Sequence, residues 1–102
     1  MISLETYGPA ISNPVIAESV YQKILSNNPN DNVVTIDLKG IEAMTTQCAK
    51  IIFGRLYINL GADLFYKNIE ITNCSDGLQL VIEFGIEHAL SMLSCTEIGL
   101  HI

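Results

Sequence analysis

The chain has 102 residues, of which eleven are acidic and five basic, and its formal net charge is −6. This length fits one domain over residues 1–102, and a content of 49% hydrophobic against 16% charged residues excludes an intrinsically disordered chain. The acidic balance argues against nucleic acid and against membrane as partners, because anionic surfaces are bound through basic patches.

The first third of the sequence predicts a strand followed by an amphipathic helix. Apolar and polar residues alternate over residues 2–7, and Gly8-Pro9 ends this strand. Asn13 is a typical N-cap residue, and Pro14 suits the first helical position. The polar run 27–32 ends the helix. Its apolar face consists of Ile16, Ala17, Val20, Tyr21 and Ile24.

The middle of the sequence predicts a central strand and a largely buried helix. Residues 33–38 are apolar on both faces apart from two polar positions, one of which is Asp37, a pattern typical of a strand covered on both sides. A second helix begins at Thr45 or Thr46 and continues to about Leu60. Apolar residues surround it almost completely, so we expect a second covering surface, for which another molecule is one candidate.

The last third predicts a short strand and a third helix. A loop around residues 64–66 leads into the strand Ile69–Thr72. Asp76 and Gln79 have the spacing of a capping box at the start of the helix. Alternating apolar residues over 98–102 allow a short strand in the tail. The predicted inward face of the third helix consists of Leu78, Val81, Ile82, Ile86, Ala89 and Leu93.

The order β-α-β-α-β-α predicts an α/β fold with a small, mainly parallel sheet and alternating helices. Functional groups in such sheets collect where the carboxyl ends of the strands meet. One polar turn contains Thr45 and Thr46, and another contains Asn73, Ser75 and Asp76. We therefore expect these five residues to lie close together, at an edge that faces the N-termini of two helices.

Two segments contain motifs that can be compared with known domains. Residues 33–56 show an apolar strand ending in Asp, then a Gly-hydrophobic pair, a Thr pair that opens a helix, and the run Phe-Gly-Arg-Leu. Residues 69–75 match the following strand and its Asn-x-Ser turn. These segments resemble the core of STAS-like domains, most of all the bacterial STAS-like domain of unknown function family, and the resemblance covers about residues 11–90.

The resemblance implies a STAS-like fold and a non-catalytic regulatory module that binds a protein. STAS domains include the anti-sigma-factor antagonists, which dock on a histidine-kinase-like ATPase that acts as a serine kinase. Their helix begins Asp-Ser-Ser-Gly, and the second Ser is phosphorylated. Aligned through Gly54-Arg55, these first three positions are Thr45, Thr46 and Gln47 here. Because glutamine cannot be phosphorylated, the resemblance implies the docking surface without that phosphoacceptor.

Each candidate residue also has a structural interpretation. Thr45 and Thr46 either contact a partner, with or without a phosphate, or cap a helix, which is the commoner role. Asp37 is either an acid in a pocket or an acceptor for loop N–H groups. Cys74 precedes a helix whose dipole can lower a thiol pKa, but both histidines lie at or beyond the far end of that helix. An inert, buried Cys74 is therefore favoured.

Three classes of function follow. The favoured one is a protein-binding module rather than an enzyme. The alternatives are a structural homo-oligomer and a small enzyme that uses the edge between Thr45 and Cys74, for which no base is evident. The high hydrophobic and low charged content also predicts self-association, with a dimer or a tighter assembly at micromolar concentration. The partner-binding residues of the favoured class are Thr45, Thr46, Gln47, Asn73, Ser75 and Asp76.

The remaining expectations concern ligands and location. The cysteines and histidines lack the spacing of a zinc site, and no glycine-rich phosphate loop is present, so we predict no metal and no cofactor. The three cysteines have no disulfide-framework spacing, and neither a signal peptide nor a transmembrane segment is recognisable. These features predict a cytoplasmic protein.

Overall fold

The computed structural model describes the backbone of residues 1–101 and the side chains of residues 1–91. The described residues form a three-stranded parallel sheet of order β1-β3-β5 and a separate parallel pair, β2-β4. The strands are β1 Ile2–Ser3, β2 Ala10–Ile11, β3 Val34–Asp37, β4 Ala43–Met44 and β5 Ile69–Thr72.

Helices alternate with these strands, as the sequence predicts for an α/β fold. A 3₁₀ turn at Glu5–Tyr7 follows β1, and a π-helical turn at Lys50–Gly54 joins α2 to α3. The α-helices are α1 Pro14–Leu25, α2 Thr46–Ala49, α3 Arg55–Leu60, α4 Ala62–Asn68 and α5 Asp76–His101. The fold class is thus confirmed as mixed α/β with small parallel sheets.

The central position of β3 is also confirmed. Its Ile36 pairs with Ile2 of β1 on one side and with Ile71 of β5 on the other. Ile36 is completely buried, and Leu38 is 1% exposed. Both residues point to the same face of the strand, which is buried, whereas on the opposite face Val33 is 58% exposed and Thr35 is half-buried, so β3 is central in the sheet but only one of its faces lies fully in the core.

The start of α1 follows the sequence prediction. The Asn13 side-chain oxygen accepts a hydrogen bond of 2.9 Å from the backbone N–H of Val15, and Pro14 occupies the first turn. An uncapped N–H is thereby satisfied at the helix end. The buried face of α1 consists of Ala17, Val20, Tyr21 and Ile24.

The predicted second helix is continuous from Thr46 to Leu60 and contains the π-helical turn. It lies between α1 and α5, so its outer face is covered by α5 of the same chain. A Cβ atom added to Gly85 of α5 would lie 2.7 Å from the carbonyl carbon of Ala49. This close approach of two backbones explains how an apolar helix is buried on most sides in a small protein.

Two sequence predictions near the ends of the chain are wrong. The first strand includes only Ile2–Ser3, because the chain turns into the 3₁₀ segment instead of remaining extended. The tail strand is absent from residues 98–101, which continue α5, and Ile102 lies outside the described residues. Apolar residues at 98 and 102 also have the i, i+4 spacing of a helix, so the pattern was ambiguous.

The middle of the chain holds further corrections. Residues 64–66 belong to α4 rather than to a loop, and the buried Phe65 anchors that helix. The predicted inward face of α5 is buried or half-buried from Leu78 to Ala89, whereas Leu93 lies outside the described side chains. Strands β2 and β4 were not foreseen, because elements of two residues carry no readable period.

Candidate functional site

The carboxyl edge of β3 and β5 is closed by an internal hydrogen-bond cluster. Asp37 Oδ1 accepts from the backbone N–H of Lys39 at 3.0 Å and from the side-chain amide of Asn73 at 2.8 Å. The bond from Asn73, supported by that from Lys39, lowers the pKa of the Asp37 carboxyl, while partial desolvation opposes the shift. The geometry assigns Asp37 the structural role, as an acceptor for loop N–H groups.

Thr45 caps α2. Its hydroxyl oxygen accepts from the backbone N–H of Cys48 at 3.2 Å, and its own N–H donates to the carbonyl of Ile11 at 3.1 Å. Thr45 therefore joins the β2-β4 pair to the start of the helix, which is the capping interpretation. The next two residues, Thr46 and Gln47, are exposed in the first turn.

Thr46 lies beside the middle of α5. It borders a shallow surface depression of about 340 Å³, in which Phe84 is 54% exposed. The remaining residues that line this depression are Glu87, His88 and Ser91.

The second predicted turn lies at the N-terminal end of α5 and contains Asn73, Ser75 and Asp76. Ser75 is the N-cap residue, because its hydroxyl oxygen accepts from the backbone N–H of Leu78 at 3.2 Å. Asp76 is in the first turn, so the predicted capping box headed by Asp76 is wrong. Ser75 occupies the N-cap position instead, from which a side-chain oxygen reaches the backbone N–H three residues later.

The two polar turns are not brought together, contrary to the sequence prediction. Phe84 lies eight positions after Asp76, which places the Thr46 depression about 12 Å farther along α5. The reason is the small second sheet: after β3 the chain crosses to pair β4 with β2, and α2 starts from there. Of the five residues expected at this edge, Asn73 contacts the end of β3, through its hydrogen bond to Asp37.

The surroundings of Cys74 disfavour the thiolate form of its side chain. Its half-buried thiol donates weakly to the Ser75 carbonyl oxygen at 3.5 Å. Burial, with a further contribution from the negative charge of Asp76, raises the pKa of the thiol. This opposes the effect of the helix N-terminus, which lowers a thiol pKa.

A groove between α3–α4 and α5 was missed by the sequence analysis. It consists of two depressions of about 300 and 390 Å³ that share Tyr66, Glu83 and Ile86. Tyr66 is 72% exposed. The available signal is the adjacent pair Phe65-Tyr66, which the sequence pattern places in a loop. In α4, the Phe65 ring is buried in the core and the Tyr66 ring is exposed at the surface.

Two further searches concern ligands and membranes. Within the described residues, no group of three or more histidine, cysteine, aspartate or glutamate side chains is placed to hold a metal ion. No helix in this part of the chain combines the length and the apolar character needed to cross a bilayer.

Comparison with known proteins gives a match to a protein family. The family model of a STAS-like domain of unknown function matches residues 17–79, more than half of the chain. This segment contains both predicted polar turns and ends in the first turns of α5, before Phe84. The curated proteins and the solved structures gave no match.

Proposed function

Since the chain belongs to the family of STAS-like domains of unknown function, we propose that it is a non-catalytic regulatory module of the cytoplasm that binds a partner protein. The observation that carries this proposal is the position of Thr46 beside Phe84. An exposed aromatic residue next to polar groups is typical of the centre of a protein contact. We call Thr46, Gln47, Phe84 and His88 the Thr46 face.

The two threonines divide the structural and the binding role between them. Thr45 holds the helix start through its bond to Cys48, whereas Thr46 is exposed and borders the depression. Thr46 and Gln47 are also the positions that correspond to the two serines of the anti-sigma-factor antagonists. The partner we propose is therefore a histidine-kinase-like ATPase, bound without phosphorylation at Gln47.

The test is titration calorimetry with the purified histidine-kinase-like ATPase of the same host. Thr46→Glu places a charge in the contact, and Phe84→Ser removes its aromatic anchor; each should weaken binding about tenfold. Thr6→Glu adds the same charge at an exposed residue of the 3₁₀ turn and serves as the control. Wild-type protein that does not bind, or equal losses in all three variants, would contradict the proposal.

A homo-oligomer is the second candidate, favoured by one surface feature. Leu80 and Phe84 lie one turn apart on α5 and are 53% and 54% exposed, so together they form an apolar strip. A second copy of the chain would bury it. Light scattering at micromolar concentration should then give twice the chain mass of 11.2 kDa, and Leu80→Glu should restore the monomer. A wild-type mass of 11.2 kDa at high concentration would exclude this candidate.

A further inference from the structure

The groove between α3–α4 and α5 combines a fixed aromatic ring with an apolar floor. The Tyr66 ring lies 6.0 Å from that of Tyr57 and 5.5 Å from that of Phe65, edge-on in both cases. These contacts restrain an exposed side chain, so a ligand can use the ring at a small entropy cost. Ile86 and Leu90 of α5 supply apolar surface in the same groove.

The groove is also acidic. Glu83 and Glu87 are one turn apart on α5, both line the groove, and both are exposed. Among the residues whose side chains are described, neither forms an ion pair, and no lysine or arginine lines the groove. Two carboxylates at this spacing repel each other, so a cation placed between them relieves an unfavourable interaction.

A tyrosine ring and a glutamate side chain already bind a cation together elsewhere in the molecule. The guanidinium of Arg55 lies 4.1 Å from the centroid of the Tyr21 ring and forms a salt bridge with Glu18. A tyrosine ring and a glutamate thus hold one arginine through cation–π and ionic contacts. Tyr66 with Glu83 offers this combination on the surface, facing outward rather than toward an arginine of the fold.

We propose that this groove binds a cationic amphipathic segment of a partner protein. A lysine or arginine of that segment lies between Glu83 and Glu87 and against Tyr66, and its apolar residues pack on Ile86 and Leu90. The net charge of −6 attracts such a segment before contact. This surface includes neither Thr46 nor Phe84, although Glu87 also lines the depression beside Thr46. The inference therefore goes beyond the proposed function and does not depend on it.

The probe is a synthetic peptide with leucine and lysine at helical spacing, and its counterpart carries glutamate in place of every lysine. Titration calorimetry measures affinity, and amide chemical shifts locate the contact. We expect the lysine peptide to bind, to shift residues of α4 and α5 around Tyr66 and Glu83, and to weaken as salt increases. The glutamate peptide should not bind.

Matched variants separate the groove from simple net charge. Glu83→Gln with Glu87→Gln should weaken the lysine peptide about fivefold, whereas Glu42→Gln with Glu70→Gln, which removes the same charge from exposed sites outside the groove, should change affinity less than about twofold. Tyr66→Ser tests the ring and should also weaken binding. Equal losses in the two double variants, equal binding of both peptides, or shifts located elsewhere would overturn the proposal. Phe84→Ser, which disables the Thr46 face, should leave peptide affinity unchanged.

Discussion

The side-chain amide of Asn73 donates a hydrogen bond of 2.8 Å to Asp37 Oδ1. Asp37 ends β3, and Asn73 directly follows β5, whose last residue, Thr72, pairs with Asp37 in the sheet. The backbone N–H of Lys39 donates to the same oxygen at 3.0 Å. One carboxylate oxygen therefore joins the ends of two neighbouring strands to the loop that leaves the first of them.

This cluster predicts a pH dependence of stability. Because the folded state lowers the pKa of Asp37 from the ordinary value of 3.8, ionised Asp37 stabilises the fold above that pH. The stabilisation is lost as pH falls below 3.8 and through the lowered pKa. Urea unfolding of the wild type and of Asp37→Asn should show a constant difference in the free energy of unfolding above this range and a narrowing difference below it.

The cause of the shift can be tested separately. Asn73 has a φ of +54°, so Asn73→Gly removes the amide and keeps a backbone conformation that glycine adopts freely. The pKa of Asp37, followed by carboxyl chemical shifts, should rise toward its ordinary value in this variant. A pKa that stays equally low would show that Asn73 is not the main cause.

The two threonines at the start of α2 predict different losses of stability. Thr45→Ala removes the acceptor for the Cys48 N–H and should cost about 1 kcal/mol of the free energy of unfolding. Thr46→Ala removes no cap and should cost much less, since Thr46 is already exposed within the helix. Urea unfolding of both variants measures these losses, and an equal loss at the two positions would contradict the assignment of Thr45 as the N-cap.

The sequence predicts those elements of the fold whose start or end is determined by neighbouring residues. The helix start at Asn13-Pro14, the apolar strand around Ile36 and the end of the second helix near Leu60 each depend on a few neighbouring residues. Gly61 has a φ of +85°, a conformation in which the helix cannot continue. Such signals are readable without knowledge of the rest of the fold.

The arrangement of the site depends on distant contacts and was predicted only in part. The expectation that Thr46 and Asn73 meet assumed that α2 starts directly from β3. Instead, Ala43 pairs with Ala10, in strands of two residues that no periodicity reveals. Likewise, the close approach of Gly85 to the backbone of Ala49 shows that α5 of the same chain covers the apolar second helix, a role for which the sequence allows another molecule.

Cys74 should react slowly with alkylating reagents. Burial and the Asp76 charge raise its thiol pKa above the ordinary value of 9.0, so little thiolate is present at neutral pH. The measurement uses a Cys95→Ser variant, in which Cys74 is the accessible thiol because Cys48 is buried. The rate of iodoacetamide labelling, measured against pH, should reach half its maximum above pH 9.0. Asp76→Asn should lower that midpoint. A midpoint below 9.0 would restore the nucleophile interpretation.

The helix crossing at Gly85 predicts a large effect from a single methyl group. A Cβ atom at Gly85 would lie 2.7 Å from backbone atoms of Ala49 and Lys50, and backbone cannot move aside as a side chain can. Gly85→Ala should therefore lower the free energy of unfolding by about 1–3 kcal/mol, although alanine favours the helix.

Gly77 is the matched control on the same helix. A Cβ atom there has no heavy atom within 4 Å, so Gly77→Ala should be neutral or should stabilise by about 0.5–1 kcal/mol through its helix propensity. Urea unfolding of both variants measures the difference. If Gly85→Ala were as stable as Gly77→Ala, α5 would not approach the second helix as closely as described, and the apolar outer face of that helix would again need a second molecule to cover it.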